Sequence, residues 1–279
     1  MTEHSSGYAN GHLLITAPEL SSVLGREGGP LLIDLRPAHD FAGGHLPGAV
    51  HLDLWGLSLI DTDPAPLRSF LWMIEHLFAT RGVTDHRAVV LYEHESGILA
   101  ARAFWFLDYF GHPDVRVLDG GVRAWRAAGL PLVVESTAPV TSDWTGARHE
   151  SRLATRQDVH ARLGQLDVAI LDVRSEGEFR GTTVRARRGG AIPGAVHLEW
   201  THSVADDGRF KPAARLRAEF ERVGVTPERE VVTYCQGGYR AAHTYLALRL
   251  LGYPKVRNYL GSWREWGDRT ELPIAGDRR

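Results

Sequence analysis

The chain has 279 residues, 43% hydrophobic and 24% charged, with a formal net charge of −2 and a single cysteine. That length suits two domains of roughly 130 to 140 residues, and the near-neutral balance excludes a protein that works by bulk attraction to nucleic acid or to a membrane surface. One cysteine excludes an internal disulfide, and residues 1–16 lack the cationic start and apolar run of a signal peptide. With no stretch apolar enough to span a bilayer, a protein of the reducing cytoplasm is expected.

In chain order, the first strand is expected at 31–35, an apolar run that ends in Asp34 and Arg36 and leads into "GHLPGAVHL" at 44–52. A helix is expected at 68–81, a strand at 88–92 and a helix at 97–110. The polar stretch "VESTAPVTSDWTGARHES" at 134–151 reads as a linker. Beyond it the series recurs. A strand at 168–173 ends in Asp172 and Arg174, "GAIPGAVHL" stands at 190–198, and a helix at 213–223, a strand at 230–234 and a helix at 239–251 follow. The strands are rich in Val, Ile and Leu without strict alternation, the mark of strands buried on both faces. Strand alternating with helix, written twice, predicts an α/β fold of two homologous domains at 1–133 and 152–279. Each is expected to be a parallel sheet flanked by helices on both faces.

The cysteine stands in "VVTYCQGGYRAAH", directly after the strand at 230–234 and at the entrance of the next helix. In open α/β sheets this junction of strand carboxyl end and helix amino end is where ligands bind. Gly237 and Gly238 let the backbone turn tightly so that successive N–H groups face one centre, and the helix adds its own free N–H groups and positive dipole end. A thiol there is expected to exist substantially as thiolate and to be nucleophilic. A lone cysteine after a strand is more often core filling, but a packed thiol has no use for a cradle of inward-facing amides. Cys235 is therefore the candidate catalytic residue, with Gln236, Gly237, Gly238, Tyr239 and Arg240 as its loop.

Several segments together give the chain a family resemblance: "DLR" and "DVR" at the strand ends, "GHLPGAVHL" and its echo, "YCQGGYR" at 234–240 and "YLGSWREWG" at 259–267. In their order and spacing they resemble the tandem-domain rhodanese sulfurtransferases, which use thiosulfate or 3-mercaptopyruvate, over nearly the whole chain. In that family the C-terminal domain carries the cysteine and the N-terminal one has lost it; here "VVLYE" aligned with "VVTYC" puts Glu93 opposite Cys235. The resemblance implies a ping-pong reaction without a cofactor or metal. Cys235 takes the sulfane sulfur of a small anionic donor as a persulfide and passes it to cyanide or a thiol acceptor. Cysteine phosphatases of related fold have a loop one residue longer, Cys-x5-Arg, around a tetrahedral phosphoryl group. The shorter Cys235-to-Arg240 ring suits a single sulfur atom.

An anionic donor wants fixed positive charge beside the loop. Arg240 serves equally well as ligand or as scaffold. The C-terminal half has a longer segment before its "PGA" than the N-terminal half, and the extra residues bring Arg185, Arg187 and Arg188. By resemblance such an insert supplies substrate-binding arginines; Arg185 and Arg188 are the choices, with Arg187 able to replace either. The mercaptopyruvate branch carries Ser or Thr where this chain has Gly237, and the thiosulfate branch carries basic residues where it has Gln236 and Gly237. Neither loop is matched in full, and the arginines favour thiosulfate. Asp172 and Arg174 recur as Asp34 and Arg36 and read as scaffold. His243 lies on the helical face of Arg240 and reads as a packing residue rather than a proton carrier, as do Trp263 and Trp266. The 14 histidines show no metal-binding spacing. A non-catalytic sulfur carrier or regulatory binding protein is the alternative of another class.

Overall fold

A computed structural model describes residues 7–275. The N-terminal half contains a five-stranded parallel sheet of β1 (Leu14–Ile15), β2 (Leu31–Asp34), β3 (Val50–His51), β4 (Val89–Tyr92) and β5 (Val115–Leu118), in the order β1-β5-β4-β2-β3. The C-terminal half repeats it with β6 (Leu153–Ala154), β7 (Val168–Asp172), β8 (Val196–His197), β9 (Glu230–Tyr234) and β10 (Val256–Tyr259), in the order β6-β10-β9-β7-β8. Every residue of β2, β4 and β7 is buried, which is why these strands read as continuous apolar runs. Register is also repeated: Asp34 pairs with Tyr92 and Asp172 with Tyr234. Glu93 and Cys235 thus leave the carboxyl ends of the two central strands at equivalent points.

Helices Ile98–Tyr109, Ala213–Arg222 and Tyr239–Leu250 fall where the apolar spacing puts them. The helix before β4 runs Pro64–Ala79 and starts ahead of the expected position 68. Pro64 and Pro66 occupy its first turn, where a missing N–H breaks no internal bond.

The two halves meet along helices Ile98–Tyr109 and Tyr239–Leu250, each buried over most of its length. Tyr245 donates a 2.6 Å hydrogen bond to Asp108 across this contact, and one continuous core draws residues from both sheets. Residues 134–149 form no helix or strand but pack back on the N-terminal half. Ser142 N–H reaches the Ala79 carbonyl at 2.9 Å, and buried Trp144 donates to Asp85 at 2.7 Å. Among the described residues no helix is long and apolar enough to cross a membrane.

Candidate active site

β9 delivers Cys235 to a loop whose shape depends on two glycines. Gly238 has φ of 84°, and a Cβ there would meet the Leu260 carbonyl oxygen at 3.0 Å; a Cβ on Gly237 would lie 3.3 Å from Ser58 Oγ of the opposite half. With these side chains absent, Gly238 N–H points at the sulfur, 3.1 Å from Cys235 Sγ. Cys235's own N–H turns the other way, to Ser262 Oγ at 3.1 Å, and the Ser262 hydroxyl donates to the Tyr259 carbonyl at 2.7 Å. That bridge holds Ser262 in the left-handed region, φ 53°, which a residue with a side chain rarely adopts. Trp263 N–H and Arg264 N–H complete the seam, donating to the Cys235 and Gln236 carbonyls at 2.9 Å each.

The thiol, 1% exposed, lies at the wall of a cavity of about 470 Å³ between the halves. Gln236, Gly237, Tyr239 and Arg240 of the loop line it together with Arg185 and Arg264, and Trp55, Gly56, Ser58 and Ile98 form the opposite wall. Tyr239 is anchored by donating to the Leu54 carbonyl at 2.8 Å, with the exposed Trp55 ring 5.3 Å from its own.

Five arginines at or near the loop have different obligations. Arg240 grips Glu178 with two bonds of 2.7 and 2.9 Å. Burial opposes the Glu178 charge, but Arg240 outweighs it and holds the carboxyl down at about 2. Arg188 is not brought to the cavity. Its guanidinium donates to the carbonyls of Gly267 (3.2 Å), Leu272 (2.9 Å), Trp266 (3.1 Å) and Arg269, fastening the C-terminal segment. The sequence places this arginine in the right insert but cannot show that four carbonyls claim it. Arg185 does line the cavity; its side chain is 61% exposed and only loosely paired, 3.7 Å from Glu178, while its carbonyl accepts from Gln236 Nε2 at 2.8 Å. Arg187 bonds Asp268 through its backbone N–H. Arg264, not anticipated from the sequence, lines the cavity and has no side-chain partner among the described residues.

Asp172 and Arg174 lie behind the loop. The guanidinium is spent on both Asp172 oxygens (2.5 to 3.1 Å) and on the Gly190 carbonyl (2.7 Å), and Tyr234 donates to Asp172 at 2.5 Å. His243 is sealed between Phe210 and Trp200, with Nε2 3.0 Å from the Ser96 carbonyl. Burial pulls it down to about 4, so it packs as a neutral ring. Trp263 and Trp266 donate to the carbonyls of Arg188 and Pro273 rather than facing the cavity.

The sequence pattern of the rhodanese-like domain matches this chain twice, over residues 16–128 and 155–269. The chain belongs to the rhodanese-like family. Its curated relatives include thiosulfate sulfurtransferases of Azotobacter vinelandii, 38% identical over 93% of this chain and 92% of that one, and of Pseudomonas aeruginosa, 39% identical over 92% and 95%. The sulfur carrier protein TtuD of Thermus thermophilus is 38% identical over 83% and 85%. This rhodanese is a sulfurtransferase. Among solved structures, the anaerobic ergothioneine biosynthesis enzyme of Chlorobium limicola has the same fold, with a TM-score of 0.84 over 96% of this chain and 71% of that one at 22% identity.

In the N-terminal rhodanese domain the Glu93 carboxylate occupies the place of the thiol. It accepts from Leu99 N–H at 2.7 Å and Ala100 N–H at 3.0 Å at the start of helix Ile98–Tyr109. Burial raises this carboxyl to about 7 in spite of those two bonds. The cradle is retained and filled by a side chain of its own.

Proposed function

We propose that Cys235 is the nucleophile of a thiosulfate sulfurtransferase, with the Glu93 domain silent and supplying the facing wall. The thiolate attacks the outer sulfur of thiosulfate, the S–S bond of the donor breaks, and sulfite leaves with the electron pair, so a persulfide anion remains on Cys235. Cyanide or a thiolate then attacks the terminal sulfur, and the thiolate of Cys235 is regenerated as thiocyanate or a persulfide product departs. Gly238 N–H stabilises the sulfur anion, a charge-assisted bond contributing about 1.5–3 kcal/mol. Arg264 and Arg185 hold the sulfonate end of the donor, since Arg240 and Arg188 are already engaged.

The observation that carries this reading is a buried thiol under a glycine N–H, on the wall of a cavity also lined by Arg264, which has no side-chain partner among the described residues. Gly237 in place of a hydroxyl residue supports thiosulfate over 3-mercaptopyruvate, as do the names of the Azotobacter and Pseudomonas relatives. The test is intact mass after brief exposure to each donor, with Cys235→Ala as control. The expected result is a gain of one sulfur, reversed by cyanide, absent in the control and faster from thiosulfate. No adduct from either donor would overturn the proposal. The Thermus relative's name supports a second reading, in which a partner protein takes the sulfur; ready loading with slow discharge to cyanide would favour it.

A further inference from the structure

Arg102 lies in the silent half, on helix Ile98–Tyr109, and is wholly buried at 0% exposure. One of its nitrogens, Nη2, donates to the Leu57 carbonyl. Nε and Nη1 have no hydrogen-bond partner, and no carboxylate pairs with the group among the described residues. Unpaired charges are seldom buried, because the lost hydration is not returned. The surroundings of this one are specific: its guanidinium carbon sits 3.6 Å from the centre of the Tyr239 ring and 5.3 Å from that of Phe106. Tyr239 belongs to the loop whose preceding residue, Gly238, donates to the sulfur.

We propose that Arg102 is the fixed countercharge of the Cys235 sulfur anion, so that the silent half completes the electrostatics of the active site. The inference rests on Cys235 being the nucleophile. An arginine left short of partners inside the protein is compensated when an anion appears beside it, and thiolate and persulfide both carry that charge. Because the helix is fixed in the shared core, the charge is in place before the donor arrives, the arrangement that makes an electrostatic site effective. Burial lowers the Arg102 guanidinium to about 10, and Tyr239 and Cys235 act to raise it; it stays cationic at neutral pH. The other charged groups around Cys235 are Arg240, held on Glu178, and Arg185 and Arg264, which line the same cavity. His243, on the catalytic helix, is neutral and turned to Ser96. Arg102 touches neither donor nor acceptor; it acts through the sulfur and is a positioning residue.

The experiment is the pH profile of Cys235 alkylation by iodoacetamide in the full-length protein, for wild type, Arg102→Lys, Arg102→Gln and Arg102→Met, each checked for folding by thermal melting. Both neutral variants are expected to slow alkylation at pH 7 roughly tenfold and to move the profile to higher pH, as loss of one nearby charge requires. Arg102→Lys is expected to restore most of the rate. A folded neutral variant with an unmoved profile, or a lysine variant no better than glutamine, overturns the proposal. Should glutamine fail to fold, methionine, which preserves packing against Tyr239, gives the same readout. A wild-type profile matching that of a free cysteine would instead count against Cys235 as nucleophile, which separates the two failures.

Discussion

Whether an arginine can serve a ligand depends on how many of its donors are already taken. The sequence shows that Arg185, Arg187, Arg188 and Arg240 are near in the chain to the loop or its insert; it cannot show that Arg240 is locked on Glu178 or that Arg188 ties down four carbonyls. Arg264 was illegible for the converse reason. It follows Trp263 in a segment that reads as packing, and only the contacts place it on the cavity wall with no side-chain partner among the described residues. Arg264→Ala is expected to raise KM for thiosulfate roughly tenfold with a smaller effect on kcat, the loss of about one charge-assisted hydrogen bond. Arg188→Ala is expected to leave KM alone and lower the melting temperature by several degrees, on the order of 2–4 °C per kcal/mol for a chain of this class. Steady-state kinetics and melting curves check both, and equal KM effects in the two variants would refute the division of roles. The loop around Cys235 was legible because it is local: the strand, the two glycines and the helix start adjoin the cysteine in sequence.

At the level of elements, strands β2, β4, β7 and β9 and the helices following β4 and β9 were readable from their apolar patterns, while β1, β3, β6 and β8 were not, having two residues each, nor were β5 and β10, in which a half-buried arginine interrupts the apolar run. The amino end of helix Ile98–Tyr109 holds a feature that periodicity does not report, a carboxylate folded into its own cradle. Glu93 is raised to about 7 from 4.5 by burial, so between those values the folded chain binds more protons than the unfolded one. Its contribution is fully present below pH 4.5 and is lost as pH rises through 7. Glu93→Gln removes this dependence. The variant is expected to match wild type near pH 4 and to exceed it by on the order of 3 kcal/mol above pH 8. Urea unfolding at the two pH values measures the difference, and a larger gain at pH 4 than at pH 8 would contradict it.

For the molecule as a whole, duplication was legible and fusion was not. The repeated segments announce two domains, but the shared core and the strapping of residues 134–149 over the first half emerge only from packing. A limited proteolytic nick near the exposed Val134 or Val140 is therefore expected to leave one particle on size exclusion and a single melting transition. Separation of the fragments without denaturant would show that the halves are only tethered.

The contact between the two long helices has a consequence for how such a chain can change over generations. Ala100, Ala101 and Ala103 on one helix, and Ala241, Ala242 and Ala247 on the other, are at most 1% exposed, so added bulk on either side has no free space to enter. A substitution there in one copy must be answered in the other. The two copies are no longer free to drift apart: the half without the cysteine is inherited under the same constraint as the half with it.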